Sequence, residues 1–269
     1  MTRTTARSAA PGLRAARVGF LIALLLLVSA PVQLLVLGLA PSRRYLLPGA
    51  VFRLGLKIIG IDCDIRGPVP ARGPALILCN HLSWIDIIVL GALMPCHFIA
   101  KREVARWPVF GQLARLIGVM FLDRDRRLAT APFRDAMGRS FEQDRILVLF
   151  PEGTSTEGSE VLPFKSALLP DAGDGITVHP LTLTLYGNAR PHPFYAWYDD
   201  TSLLEHMRAV FASGPLRVRL DFGVPLPASG LSGRKALALR AHAVVSENLA
   251  SAWKEAKETS QTGASGRKP

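Results

Sequence analysis

Hydrophobic positions fall along this chain in three patterns. Val18–Ala40 is an uncharged run of 23 residues, long enough as a helix to cross a bilayer. Leu46–Ile59 places Arg53 and Lys57 four residues apart among Val51, Phe52, Leu54, Leu56 and Ile58. That pattern predicts either an interfacial helix or a core helix with two solvated cations. From Ile61 onward, short apolar runs alternate with helical periodicity. Strands are predicted at Ala75–Cys79, Phe98–Ala100, Val119–Leu122, Ile146–Phe150, Ile176–Leu185 and Leu216–Val224. Helices are predicted from Ser83 to the stop at Pro95, from Pro108 to Gly118, over Ala129–Asp144 and over Ser232–Lys257. Thr259–Pro269 is polar and reads as a disordered tail. The alternation predicts an α/β domain, a central and mostly buried sheet flanked by helices. The organisation expected is a basic N-terminal membrane anchor and interfacial helix over 1–60, one domain over 61–258 and a tail over 259–269.

Charge sharpens the reading of the N-terminal part. The net charge is +11 over 269 residues. Arg3, Arg7, Arg14, Arg17, Arg43, Arg44, Arg53 and Lys57 all precede the first acid, Asp62. A basic chain raises nucleic acid as a partner, but no aromatic–basic interleaving or nucleic-acid motif accompanies this charge. Anionic lipid headgroups suit it better, because basic residues beside a membrane gain about 1 kcal/mol each. A cleaved signal peptide is the alternative, with Leu21–Val28 as its apolar core. Pro31, directly after Val28-Ser29-Ala30, opposes cleavage there. The positive-inside rule keeps Arg14 and Arg17 cytoplasmic, yet the Arg43, Arg44, Arg53 and Lys57 flank is equally basic. A re-entrant hairpin breaking near Pro31-Val32-Gln33 satisfies both flanks better than a single span. The expected location is the inner (cytoplasmic) membrane, with the domain on its cytoplasmic face. Cys63, Cys79 and Cys96 have no zinc or disulfide spacing and fit a reducing compartment.

Candidate chemistry centres on Asn80-His81-Leu82-Ser83-Trp84-Ile85-Asp86, where a predicted strand turns into a helix. Strand ends are where α/β sheets place ligands. A histidine takes a proton from a hydroxyl near neutral pH, and a carboxylate fixes its tautomer. Five residues apart on one helix is not one face, so the pair works only if His81 lies in the turn before the helix. Ser83-Trp84-Ile85-Asp86 also reads as a capping box with Asp in place of Glu, and His81 alone reads equally as a buried, hydrogen-bonded histidine.

Three later segments change that balance. Gly118-Val119-Met120-Phe121-Leu122-Asp123-Arg124 ends a strand with a cation. Phe150-Pro151-Glu152-Gly153-Thr154 ends another with a carboxylate and a glycine turn, and Ile176-Thr177-Val178-His179-Pro180-Leu181 is an apolar strand with a proline. In this order the four blocks resemble those of the bacterial 1-acylglycerol-3-phosphate acyltransferase family, the glycerolipid acyltransferases. The resemblance covers about residues 60–225. It implies transfer of an acyl chain from an acyl-carrier protein or coenzyme A thioester to the hydroxyl of a lysolipid, with no metal or other cofactor. By the same resemblance His81 is the general base and Asp86 its orienting partner. Arg124 contacts the acceptor's polar head, Glu152, Gly153 and Thr154 shape that subsite, and Val178–Pro180 line or support the acyl side. Backbone amides near Asn80–Ser83 are candidate oxyanion donors.

One position departs from the family pattern. Phosphate-accepting members continue the third block with arginine, and this chain has Ser155, with Glu157 beyond it. A guanidinium lost there removes a bidentate phosphate contact, although Arg124 and Lys165 remain as cations. Val161–Leu168 and Tyr195–Asp200, with His206, resemble the lyso-ornithine lipid acyltransferase subgroup, whose acceptor is a zwitterionic aminolipid. Asp199 or Asp200 is then a candidate partner for its cationic head. Lyso-ornithine lipid and 1-acyl-sn-glycerol-3-phosphate both stay open as acceptors. A serine hydrolase is disfavoured by the absence of Gly-x-Ser-x-Gly. A thioesterase side activity and a non-catalytic lipid-binding protein are the remaining alternatives.

Overall fold

Strands that are apolar without alternation must be covered on both faces, and this chain supplies helices for both. The computed structural model describes residues 6–122, 130–169, 176–187, 190, 191, 193–227 and 233–265. Its elements are α1 (Ala6–Leu39), α2 (Leu46–Ile59), β1 (Ile61–Arg66), β2 (Ala75–Cys79), α3 (Trp84–Leu93), β3 (Cys96–Lys101), α4 (Phe110–Leu116) and β4 (Met120–Leu122). These are followed by α5 (Thr130–Phe141), β5 (Ile146–Leu149), β6 (Thr177–Gly187), β7 (Arg190–Pro191), α6 (Leu203–Ser213), β8 (Leu216–Phe222), β9 (Leu226–Pro227) and α7 (Arg234–Ser265).

The sheet runs β1-β8-β6-β2-β5-β3-β4, with the short β7 and β9 paired to β6. Within that path only the β6–β8 pair is antiparallel. Side chains of one strand alternate between two cores. Ala75, Ile77 and Cys79 join Ile146, Val148 and the buried faces of α2, α3 and α6. Leu76 and Leu78 join Leu147, Leu149, Met137 and Phe141 of α5, and Leu237, Ala241 and Val245 of α7. The central strands carry apolar residues at every position because both faces are dry. Gly91 lets α2 cross α3 closely: a Cβ there would lie 2.5 Å from the Phe52 ring.

For the N-terminal segment a single span and a re-entrant hairpin were both open from the sequence. α1 runs unbroken through Pro31. Its two ends both touch the body of the domain. Near the start, Arg14 donates to the carbonyls of Ile59, at 2.7 Å, and Phe211. Near the end, the buried Gln33 amide donates to the carbonyls of Arg44, at 2.8 Å, and Leu116, at 3.4 Å. These side-chain bonds hold the helix along the domain across the proline, which removes only one backbone donor. Both basic flanks thus meet the same body without a chain reversal. The opposite face of α1 exposes Leu13, Phe20, Leu27, Val28, Leu34, Leu35 and Leu39. Pro11–Leu39 is long and apolar enough to cross a membrane.

Besides the two-residue strands β7 and β9, two elements were not legible in the pattern, β1 and α6. β1 interleaves Ile61, Cys63 and Ile65 with Asp62, Asp64 and Arg66 at the sheet edge, where half the strand stays wet. α6 carries a signal that identifies it, the capping box of Ser202 and Glu205. At the other end, α7 continues to Ser265, beyond Thr259, where a disordered tail was expected. Ser, Thr and Gln are tolerated in a helix already propagating, since the cost lies in its nucleus.

Candidate active site

The parallel strands β2, β5 and β3 end at one edge of the sheet, and the Asn80–Asp86 and Phe150–Thr154 blocks meet there. β2 leads into Asn80, whose side-chain amide pairs with β6. Its Nδ2 donates to Leu183 O (3.0 Å) and its Oδ1 accepts from Leu183 N (2.7 Å). This pinned amide sets the turn in which His81 lies, before α3 begins at Trp84. No such role for Asn80 was expected from the sequence. A polar residue closing a fully apolar strand is the signal that points to it.

His81 is fixed from four directions. Its N–H donates to Glu152 Oε1 (2.8 Å) and its carbonyl accepts from Thr156 N (2.9 Å). Its ring stacks on Phe150 at 4.1 Å between centroids. Its Nδ1 lies 2.7 Å from Asp86 Oδ2. That same oxygen accepts from Leu82 N (2.7 Å) and Ser83 N (3.0 Å). An oxygen receiving two backbone N–H groups acts as an acceptor toward the third partner as well. The proton therefore belongs on Nδ1, and Nε2 is left as the unprotonated nitrogen. Asp86 is fully buried, whereas the His81 side chain keeps 26% of its surface accessible. One oxygen of Asp86 thus meets the start of α3 and the imidazole together.

His81 borders a cavity of about 530 Å³, lined mostly by apolar side chains of α1, α2, α3 and α4. Trp84, Trp107 and Trp197 stand around it with Lys101, Gly153, Thr154 and Ser155. Each indole is held. Trp84 Nε1 donates to Nδ1 of the buried His206 (2.9 Å). Trp107 meets Trp197 edge to face at 6.0 Å. Trp197 donates its backbone N–H to Leu82 O (2.7 Å) and its indole N–H to Thr201 O (2.7 Å). Ser155 Oγ donates to the Trp197 carbonyl. Gly153, at φ 77°, makes the turn that brings this loop to the cavity. The far side of the loop is held by α7, with Trp253 Nε1 on Gly158 O (3.1 Å) and His242 Nε2 on Val161 O (3.1 Å). α7 is itself tied to the sheet by the Arg219–Glu255 pair at 2.6 Å.

The expected substrate-binding residues divide. Gly153 and Thr154 line the cavity. Glu152 does not: it is buried, and its two oxygens accept from His81 N and Leu162 N (2.9 Å). Lys165 is exposed and outside the lining, with its backbone N–H on Pro151 O (2.9 Å). Arg124 lies outside the described residues, just beyond β4, whose Leu122 pairs with the cavity residue Lys101. Val178–Pro180 sit within β6 beside β2 and support the sheet rather than line the cavity. Asp199 and Asp200 are exposed, and Asp199 accepts from Thr201 N (2.9 Å). Of the turn amides expected to bind an oxyanion, those of His81, Leu82 and Ser83 are spent on Glu152 and Asp86. Among the described residues, no three His, Cys, Asp or Glu side chains gather as metal ligands.

Burial pushes the Glu152 carboxyl up to about 7, against the opposing pull of its bonds from Leu162 and His81. A carboxyl raised in the folded state favours folding at pH values below its unfolded value, and loses that contribution as pH rises through the folded one. The window is therefore about pH 4.5 to 7, and the full shift is on the order of 3 kcal/mol. Urea titrations should give a lower midpoint at pH 8 than at pH 5. Glu152→Gln should flatten this part of the slope; an unchanged slope would remove Glu152 as its source.

A family model described as Acyltransferase matches residues 60–183. The lyso-ornithine lipid O-acyltransferase of Rhizobium meliloti (strain 1021) is 35% identical over 224 residues, covering 78% of this chain and 77% of that protein. The enzyme of the same name from Brucella abortus (strain 2308) is 33% identical, with 77% and 83% covered. A 1-acyl-sn-glycerol-3-phosphate acyltransferase of Neisseria meningitidis serogroup B (strain ATCC BAA-335 / MC58) is 31% identical, with 70% and 76% covered. Among solved structures, the 1-acyl-sn-glycerophosphate acyltransferase PlsC of Thermotoga maritima shares the fold. Its TM-score is 0.65 at 18% identity, over 89% of this chain and 94% of that one. The four sequence blocks, the shared fold and these relatives together make the chain a member of the acyltransferase family, an O-acyltransferase.

Proposed function

We propose that His81 is the general base and Asp86 its positioning partner in transfer of a fatty acyl group from a thioester to a lysolipid hydroxyl. The observation that carries this reading is the 2.7 Å His81–Asp86 contact on the border of the apolar cavity. His81 Nε2 takes the proton of the acceptor hydroxyl as its oxygen attacks the thioester carbonyl carbon. The tetrahedral oxyanion collapses, the C–S bond breaks, and the imidazolium returns the proton to the departing sulfur. The products are an ester and a free thiol, and no metal or further cofactor enters the scheme. Acyl-carrier protein or coenzyme A carries the donor, and the apolar cavity takes the acyl chain. Gly153 and Thr154 face the acceptor's polar head, with Arg124 as a further contact on the strength of its sequence block alone, while Glu152 acts through the backbone of His81.

We assign lyso-ornithine lipid as the preferred acceptor and 1-acyl-sn-glycerol-3-phosphate as the second. The preference is supported by the lyso-ornithine relatives and by Ser155, which stands at the cavity with its hydroxyl committed to Trp197. The exposed apolar face of α1 enters the membrane, and the surrounding basic residues meet anionic headgroups. The membrane is the cytoplasmic one, with the domain on its inner side. The test uses salt-washed membranes and the enzyme purified from them, given a labelled acyl thioester and each acceptor in turn. The protein is expected to stay with the membranes in high salt and to acylate lyso-ornithine lipid faster. Release by salt alone overturns the anchor. Strong activity on lysophosphatidate with none on lyso-ornithine lipid overturns the acceptor assignment.

A further inference from the structure

Trp107 and Trp197 line the cavity that His81 borders, and both indoles are part-exposed. Trp197 is bonded to Ser155 and Trp107 packs on Trp197, so the pair stands where Gly153, Thr154 and Ser155 form the wall. Thr154 is exposed, and there the cavity reaches water. Both tryptophans are fixed by bonds made away from their faces. The backbone N–H of Trp197 donates to the carbonyl of Leu82, the residue after His81, and its indole N–H donates to Thr201 O. The backbone N–H of Trp107 donates to Val104 O (3.1 Å), and its carbonyl accepts from Gly111 N (3.0 Å). That turn is tight, since a Cβ on Gly111 would lie 2.4 Å from Ala105 O. Aromatic side chains held in this way offer contact area at little cost in conformational entropy.

The chemistry of this pair suits a cation. The rings lie 6.0 Å apart between centroids and are inclined at 70°, which makes a corner of two aromatic faces. The Trp197 N–H is spent on Thr201, so that ring presents its electron-rich face without a donor that would repel positive charge. Among the described residues, no carboxylate lines the cavity. Asp86 and Glu152 are buried, and Asp199 and Asp200 are exposed outside the lining. Lys101, a cation of the lining, is drawn toward Glu103 (3.7 Å), which lies outside it. A cationic headgroup that reaches this end therefore meets aromatic faces rather than an acid. An anionic headgroup gains nothing from the same faces.

We propose that Trp107 and Trp197 form the subsite for the ammonium group of a zwitterionic aminolipid acceptor, and so favour that acceptor over a phosphate-headed one. The proposal rests on the reading of lyso-ornithine lipid as the lysolipid whose hydroxyl meets His81. Because Trp197 is tied to Leu82, a headgroup held on its ring is held in a set position relative to the base. Binding energy spent away from the reacting atoms then orients the hydroxyl for attack. Asp199 and Asp200, the acids suggested by sequence for this role, are not needed for it.

The test uses full-length enzyme in detergent micelles, one acyl thioester, and three forms of lyso-ornithine lipid at equal mole fraction. These carry the free amine, an acetylated amine, which is neutral, and a trimethylated amine, which keeps the charge without an N–H. Wild type should prefer the free amine to the acetylated form in kcat/KM by about five- to thirtyfold. It should keep most of its rate with the trimethylated form, a cation that aromatic faces accept. Trp107→Leu and Trp197→Leu should each bring the free-to-acetylated ratio down toward one, whereas Trp197→Phe retains a face and most of the ratio. Indoles with a structural role alone would slow all three acceptors alike in the variants. Unchanged ratios in both Leu variants therefore overturn the proposal. So does a trimethylated acceptor as poor as the acetylated one, or a preference lost in Asp199→Asn and kept in the Leu variants. No transfer to the free amine by wild type would instead strike the acceptor assignment itself, so the two failures are distinguishable.

Discussion

His81→Ala should lower kcat for acyl transfer by about 10²–10⁴-fold, the usual contribution of a positioned general base, and leave the protein folded and membrane-bound. The retained fold follows from where the residue sits. The structural work of the turn is done by the His81 backbone, through Glu152 and Thr156, and by Asn80 on β6, none of which needs the imidazole. The ring contributes its stacking on Phe150 and its bond to Asp86. Losing the stack costs a few degrees of Tm at most for a part-exposed side chain, whereas losing Nε2 removes the only proton acceptor the proposed scheme uses. KM for the acyl thioester should change little, because the chain is held by the apolar cavity. A circular dichroism melt and a membrane-pelleting assay run beside the kinetics separate the two effects.

Asp86 offers a sharper prediction, because its two obvious replacements should differ. Three donors converge on Oδ2 and none of the described residues bonds Oδ1. In Asp86→Asn the amide oxygen is drawn to the position of Oδ2, so His81 keeps its tautomer and the start of α3 keeps its cap. What disappears is the negative charge facing the imidazolium. That should cost about 10²-fold in kcat, within the range of general-base effects. Placing the amide N–H₂ in the unpaired Oδ1 position should cost about 1–3 kcal/mol of stability. In Asp86→Ala the orientation is lost together with the charge, two backbone N–H groups are left without an acceptor, and kcat should fall toward the His81→Ala level. Wild-type activity in both variants would show that Asp86 contributes to the structure of the turn and not to the chemistry.

The parts of this molecule that were legible in sequence share a physical property. Ala75–Cys79 and Ile146–Phe150 read as strands because a sheet covered on both faces removes every polar position from them. The helix opening after Ser83 was legible from its cap. The pairing of His81 with Asp86 needed one fact that spacing could not supply, namely that the chain stays extended to Ser83 and so folds the imidazole back over the start of α3. Glu152 was misjudged for a related reason. A strand-end acid followed by glycine suggests a ligand contact, but the fold brings its two oxygens to backbone donors on Leu162 and His81, positions ten and seventy-one residues distant. Long-range partners leave no local trace. The same holds for Trp84 and His206, and for Gln33, which reads as an interruption in an apolar run until α1 is seen lying along the domain. The N-terminal charges posed a puzzle of two basic flanks on one side. A continuous helix along the body lets both flanks meet it without a chain reversal.

The most direct measurement is a single assay of purified enzyme with a radiolabelled acyl thioester and lyso-ornithine lipid, run on wild type, His81→Ala, Asp86→Asn and Asp86→Ala at matched concentrations. With His81 as base and Asp86 as its partner, the expected outcome is a diacylated product from wild type, about a hundredth of its rate from Asp86→Asn, and little or none from the other two. Near-normal product formation by folded His81→Ala would contradict it.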